Sequence, residues 1–233
     1  MVEIAEQTRR RRGRPQIRSD EDTRKLLIEA ARQEFQSNGY AGTCINDVAQ
    51  RAGVSTKTMY RLIPNKADLL GRVISDTIGK FMIDFDAKAL DALPLEDAVE
   101  RMLIAYGSLT LSEETIAMNR LVIRECGQFP EVATAFYEAA ILRTTKAMAE
   151  WLRRQCERGL IALEDPHVAA EMLRGMMIMD PQRAVMLGQR QSGNSEKLAA
   201  DFAKAARKTG LRPTSLTWQT STWRGWPQRA VLL

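Results

Sequence analysis

The stretch that most constrains this chain is residues 45–64, INDVAQRAGVSTKTMYRLIP. Ile45, Val48, Ala49 and Ala52 recur at i, i+3, i+4 and i+7, a short helical stripe that stops at Gly53. Gly53 supplies the positive φ of a tight turn. Ser55 caps a second short helix carrying Met59, Tyr60 and Ile63, and Pro64 ends it. Ala49 is small where the second helix must cross closely, and Val48, Ala52, Val54 and Met59 close a little core. That leaves Thr56, Lys57, Thr58, Tyr60 and Arg61 facing outward. The pattern is a helix-turn-helix, moderately specific alone, because any helical hairpin with a glycine turn imitates it.

The rest of the chain follows the same period. Ser19 with Asp20-Glu21-Asp22 caps a helix whose apolar face is Leu27, Ala30, Ala31 and Phe35, and Asn38-Gly39 ends it. From Asn65 an amphipathic helix is predicted to about Ala87, with Leu69, Leu70, Val73, Ile78, Phe81 and Phe85 among its apolar positions. Further helices are expected after Leu93-Pro94, from Ser112 to near Gly127, from Pro130 to Gly159, and from Asp165-Pro166 to about Met179, where Asp180-Pro181 must bend or restart the chain. A last one runs from Asn194-Ser195 to about Lys208. No stretch alternates as a strand should, so the fold class is all-α, with the helix-turn-helix near its N-terminal end and further helices after it.

Charge divides the chain. Residues 1–80 hold 15 Lys/Arg against 10 Asp/Glu, whereas residues 81–233 hold 19 of each. The net charge of +5 therefore sits in the first third, where six arginines fall between Arg9 and Arg18. Such an end suits a polyanion partner. Arg12-Gly13-Arg14-Pro15 matches the hooks that enter AT-rich minor grooves, and Arg12 and Arg14 are the residues expected to do so. At the other end, residues 211–233 contain no acidic residue, three of the four tryptophans and no helical period, and read as an irregular tail.

The apolar runs, such as Met176-Met177-Ile178-Met179, are too short to cross a bilayer, and no apolar stretch follows the basic start, so neither a membrane span nor a secretory signal is expected. Cys44, Cys126 and Cys156 are odd in number and widely spaced, as free thiols in a reducing cytosol would be, with no disulfide framework or zinc site; a cytoplasmic location follows. His167 is the only histidine and has no cysteine near it, too little for a nucleophilic triad or a histidine-rich metal site. No cofactor or enzymatic activity is expected.

The order Phe35-x-x-x-Gly39-Tyr40-x-x-Thr43, Asp47-Val48-Ala49-x-x-Ala52-Gly53-Val54-Ser55, Met59-Tyr60 and Asn65-Lys66-x-x-Leu69-Leu70 closely resembles the TetR/AcrR family of bacterial repressors. The resemblance is strong over about residues 20–80. A weaker one, in Arg120-Leu121-Val122-Ile123, Gln128-Phe129-Pro130-Glu131, Phe136-Tyr137 and Asp165-Pro166, is to AefR-like ligand domains. It implies an arm over 1–18, a DNA-binding domain over 19–80, an effector-binding and dimerisation domain over 81–210, and the tail over 211–233.

The resemblance also assigns roles. Thr43 and Tyr60 match residues that hydrogen-bond phosphates, and Lys66 matches a lysine that grips the DNA backbone at the start of the fourth helix. Ser55, Thr56, Lys57 and Thr58 begin the recognition helix, with Lys57 suited to guanine and the Thr56 methyl to thymine. Asn46 and Arg61 are secondary DNA-contact candidates. Cys44 stands where the family usually places a capping Ser or Thr, and Leu62-Ile63 replaces an aromatic pair.

In the second domain the expected pocket residues are Phe81, Phe85, Leu103, Tyr106, Met118, Leu121, Phe136 and Met148, a mostly apolar set that suits a hydrophobic or amphipathic effector. Arg120 and Glu125 are candidates to orient a polar end. Helices at 166–188 and 195–208, with Met172, Met176, Met177 and Met179, are expected to form a dimer bundle. The resemblance implies a homodimer on a pseudo-palindromic double-stranded operator, released by a small-molecule effector. The rival reading is a non-specific AT-rich architectural DNA binder acting through RGRP.

Overall fold

Side-chain caps set where the helices begin. In the computed structural model Ser19, Ser55, Asn65 and Ser112 each accept a hydrogen bond from the backbone N–H three residues on. Asp165 does the same for the N–H groups of His167 and Val168, ahead of Pro166 at the first helical position. The structure describes residues 18–177 and 181–190, together with positions 197 and 200. Arg12, Arg14, the last helix expected from 194, the tail over 211–233, Met179 and the side chains of Met176 and Met177 lie outside the described residues.

Among the described residues there are helices and no strands, as the all-α reading requires. Helix α1 (Asp20–Gly42) breaks at Gly39, whose φ of 69° and ψ of −178° belong to a region open essentially to glycine alone. The expected stop at Asn38-Gly39 is thus a kink, after which one more turn carries Tyr40 back toward the core. Helices α2 (Ile45–Arg51) and α3 (Thr56–Leu62) follow, joined through Gly53 at φ 64°. The connecting helix α4 (Lys66–Asp84) ends earlier than the periodicity implied. Asp86 starts a separate short helix, α5 (Ala87–Asp91), that the apolar pattern did not announce.

Helices α6 (Leu95–Thr110) and α7 (Glu113–Glu125) come next. The long helix expected from Pro130 is present as α8 (Pro130–Phe136), a π-helical segment (Tyr137–Leu142) and α9 (Arg143–Glu157). Helix α10 (Pro166–Met177) and the short α11 (Arg183–Met186) complete the described part.

Two apolar clusters hold these elements. The first gathers Leu27, Phe35 and Tyr40 of α1, Val48 and Ala49 of α2, Met59, Leu62 and Ile63, and Leu69 to Ile78 of α4. Leu62 and Ile63, which depart from the family pattern, fill this core as aliphatic residues. Leu121, Val122, Val132 and Ala140 join the same cluster from beyond position 80, so the first three helices do not possess a core of their own. The second cluster packs Phe81 and Phe85 of α4 against Leu103, Tyr106, Met148 and Trp151. Each fully buried side chain of this size contributes about 1.5–3 kcal/mol. Helix α4 therefore belongs to both cores, its first half to one and its last turn to the other.

Candidate nucleic-acid interface and ligand cavity

The exposed face of α3 is built by its cap and its turn. Ser55 and Thr58 are occupied with each other: the Ser55 hydroxyl accepts from the Thr58 N–H at 3.2 Å, and the two hydroxyls lie 2.9 Å apart. Thr56 and Lys57 are exposed, and Tyr60 is 49% exposed on the same helix. Asn46 is exposed at the start of α2. The face thus presents a cation, a phenol and small hydroxyls around a helix N-terminus, donors suited to phosphate and to major-groove base edges.

Three other residues expected on this face are engaged elsewhere. Arg61 is exposed but forms a two-pronged ion pair with Asp20, donating at 2.8 and 2.7 Å, and so ties α3 to the first turn of α1. Thr43 is 3% exposed and its hydroxyl donates to the Gly39 carbonyl at 2.6 Å, so the side chain faces inward. The Lys66 ammonium donates to the carbonyls of Tyr40 at 2.8 Å and Thr43 at 3.1 Å, which closes the open end of α1. Each of these three therefore orders the scaffold beneath the recognition helix. Residue type and spacing carried the family match but not these local partners.

Beside that junction Tyr40 stacks edge-on against Phe129, and its hydroxyl donates to Glu131 at 3.2 Å. Burial first, and the Glu131 carboxylate second, push the Tyr40 phenol up to about 12. Gly39 passes so close to α7 that an added Cβ would lie 2.8 Å from the Arg124 guanidinium and 3.0 Å from Glu125. Farther along, Arg32 of α1 pairs with Asp76 of α4 at 2.7 Å and with Glu114 of α7, while the Thr77 hydroxyl donates to Glu114. Helix α1 is thereby bonded directly to α4, α7 and α8.

A cavity of about 150 Å³ lies where those helices meet α6 and α10. Its wall includes Ile74, Thr77 and Ile78 of α4, Leu109 and Thr110 of α6, Met118 and Asn119 of α7, and Phe136, Ala140, Ile141 and Thr144 of the α8–α9 rod. Of the expected pocket residues, Tyr106, Met118 and Phe136 line it. Phe81, Phe85, Leu103 and Met148 do not: they pack in the second cluster, because the last turn of α4 faces α6 and α9 rather than the cavity. Leu121 packs in the first cluster.

Arg120 and Glu125 also lie elsewhere. Arg120 donates to the carbonyls of Val185 and Met186 at the end of α11, and Glu125 accepts from Arg124. The polar residues on the wall are instead Arg174, Gln182 and Asn119, with the Tyr106 hydroxyl and threonines at 77, 110, 115 and 144. Interior helix positions carrying threonine or arginine on an otherwise apolar stripe were the signal for them. His167 sits exposed on α10, 3.7 Å from Glu171.

Comparison with known proteins agrees with this layout. Residues 27–73 match the family described as bacterial regulatory proteins of the tetR family, and residues 97–212 match the AefR-like transcriptional repressor C-terminal domain. The HTH-type transcriptional regulator EthR of Mycolicibacterium smegmatis is 27% identical over 186 residues, 78% of this chain and 82% of that protein. The crystal structure of a TetR-family regulator from Mesorhizobium loti superposes with a TM-score of 0.68 at 26% identity, covering 82% of this chain and 98% of that one. The fold is shared as well with FadR of Bacillus subtilis, solved in complex with stearoyl-CoA, at a TM-score of 0.61 and 19% identity over 77% of this chain and 95% of that one. With its head and its helical domain both matched, this chain belongs to the TetR family of transcriptional regulators.

Proposed function

We propose that this regulator is a homodimeric, sequence-specific repressor that binds a pseudo-palindromic operator and is released by a small apolar or amphipathic effector held in the cavity. The observation that carries the reading is α4. Lys66 at its first residue closes the end of α1 beneath the recognition helix, and Ile74, Thr77 and Ile78 farther along the same helix form the cavity wall. A ligand that alters the packing at 74–78 acts on the element that sets the pose of α2 and α3. DNA and ligand are then negatively coupled through two arrangements of one helix.

Two recognition helices about 34 Å apart would meet successive major grooves on one side of the duplex. Tyr60, Lys57 and Thr56 make the direct contacts, Asn46 a flanking one, and the arginine-rich arm supplies an auxiliary grip through Arg12 and Arg14 in the adjacent minor groove. Thr43, Lys66 and Arg61 support that surface from beneath. The balanced charge beyond residue 80 leaves the attraction to DNA with the head.

Selection of bound DNA from a random pool, repeated with apolar compounds present, tests the reading. The expected result is a two-fold symmetric site whose recovery falls when a compound occupies the cavity. Uniform recovery of AT-rich DNA, unaffected by changes at Thr56, Lys57 and Tyr60, would establish the architectural reading instead.

A further inference from the structure

Arg174 on α10 is 8% exposed and, among the described residues, no carboxylate pairs with it. Its Nε donates to the Tyr106 hydroxyl at 3.0 Å and its Nη1 to the Thr145 hydroxyl at 2.6 Å. Both acceptors are neutral groups. Burial raises the Tyr106 phenol, an effect the neighbouring guanidinium only partly offsets, so the phenol is no counter-charge at neutral pH. A guanidinium cannot shed its proton to escape burial, and an unpaired buried charge is strongly unfavourable. The protein nonetheless holds this one in the wall of the 150 Å³ cavity.

The neighbouring donors are also incompletely used. The Thr145 hydroxyl donates its proton to the Ile141 carbonyl at 2.8 Å and accepts from Arg174. The Tyr106 hydroxyl accepts from Arg174 and retains its own proton. Among the described residues no acidic side chain lines the cavity, and Glu114 is paired with Arg32. Apolar side chains of Ile74, Ile78, Leu109, Met118 and Phe136 also line the cavity.

We infer that the cavity takes a small amphipathic monocarboxylate, its carboxylate on Arg174 and the Tyr106 hydroxyl, its apolar body against α4, α7 and Phe136. This rests on the reading of the cavity as the effector site. Among the described residues Arg174 is the one cation on the wall, which matches one negative charge, and a carboxylate fits the guanidinium fork in a two-bond geometry. The volume is that of cavities that hold a benzene ring, which sets the scale of the body.

The test is calorimetric titration of the full chain with benzoate, phenylacetate and hexanoate, each beside its primary amide. In the unaltered protein the acids are expected to bind at least about tenfold tighter than the amides, since the ionised acceptor forms the stronger hydrogen bond. Arg174→Met is expected to bring that ratio to about one, and Ala140→Phe, which fills the cavity, to remove binding of both series. Amides that bind the unaltered protein as tightly as the acids overturn the carboxylate assignment while leaving the cavity reading in place. Acid preference that survives in Arg174→Met also overturns it. Should that variant fail to fold, the ratio in the unaltered protein decides. If neither series binds a protein that still selects its operator, the cavity reading falls as well.

Discussion

The Lys66 ammonium donates to the carbonyl oxygen of Tyr40 at 2.8 Å and lies 4.6 Å from the centre of the same residue's ring. One charge thus caps the broken end of α1 and rests on an aromatic face that leads to Phe129 and α8. Lys66→Met keeps the stem and removes the charge, and should cost about 1.5–3 kcal/mol of stability, the range for a hydrogen bond to a charged group. Urea unfolding measures that loss. Operator affinity in a gel-shift titration should fall with it, because the end of α1 sets the pose of α2 and α3.

Tyr60 gives the opposite combination. Its side chain is about half exposed on the face of α3, and removal of its hydroxyl disturbs no packing. Tyr60→Phe should leave the melting temperature unchanged and weaken operator binding by about fivefold, the equivalent of one lost hydrogen bond of about 1 kcal/mol. Equal affinity of the two proteins would remove Tyr60 from the interface.

The kink at Gly39 should tolerate no side chain. Gly39→Ala places a Cβ at φ 69° and against Arg124 and Glu125. Backbone strain of this kind costs about 1–3 kcal/mol, read as a lower urea midpoint at unchanged slope.

Cys44 caps α2 with no side-chain hydrogen bond. Cys44→Ser should supply the missing acceptor and stabilise the protein by about 0.5–1 kcal/mol, with thermal unfolding as the measure. A destabilised serine variant would show that the local backbone does not admit the cap.

Tyr40 carries a pH signature. Its phenol is pushed up to about 12 in the folded protein by burial and by Glu131, against an ordinary value near 10. Between those values the unfolded chain has released the proton and the folded one has not, so stability falls as pH rises from 10 to 12. The contribution is fully present below pH 10. Tyr40→Phe should show a shallower loss over that window in urea unfolding, once lysine titration common to both proteins is subtracted.

Much of this was legible from residue types and spacing. Caps at Ser19, Ser55, Asn65 and Ser112, the turn at Gly53 and the proline starts at 130 and 166 are local features, each fixed by one or two residues. The outward set on α3 followed from the stripe that faces inward. What the period could not give was which of two cores an apolar residue joins. Phe81 and Ile78 stand three positions apart on α4, yet one packs against Tyr106 in the second cluster and the other lines the cavity. The inward roles of Thr43 and Lys66 were hidden for a similar reason, since their acceptors are backbone carbonyls exposed only because Gly39 breaks α1.

The π-helical segment at Tyr137–Leu142 acts as a phase shifter within one rod. A turn holding one extra residue adds about 100° of rotation relative to an unbroken α-helix. Val132 and Ala140 pack in the head's core, and Met148 and Trp151, farther along the rod, pack with α6 and α10. Deleting a single residue between 137 and 142 would straighten the rod and still leave it helical, but it would turn α9 out of register with everything it packs on. The chain can change side chains along this rod far more readily than it can change their number.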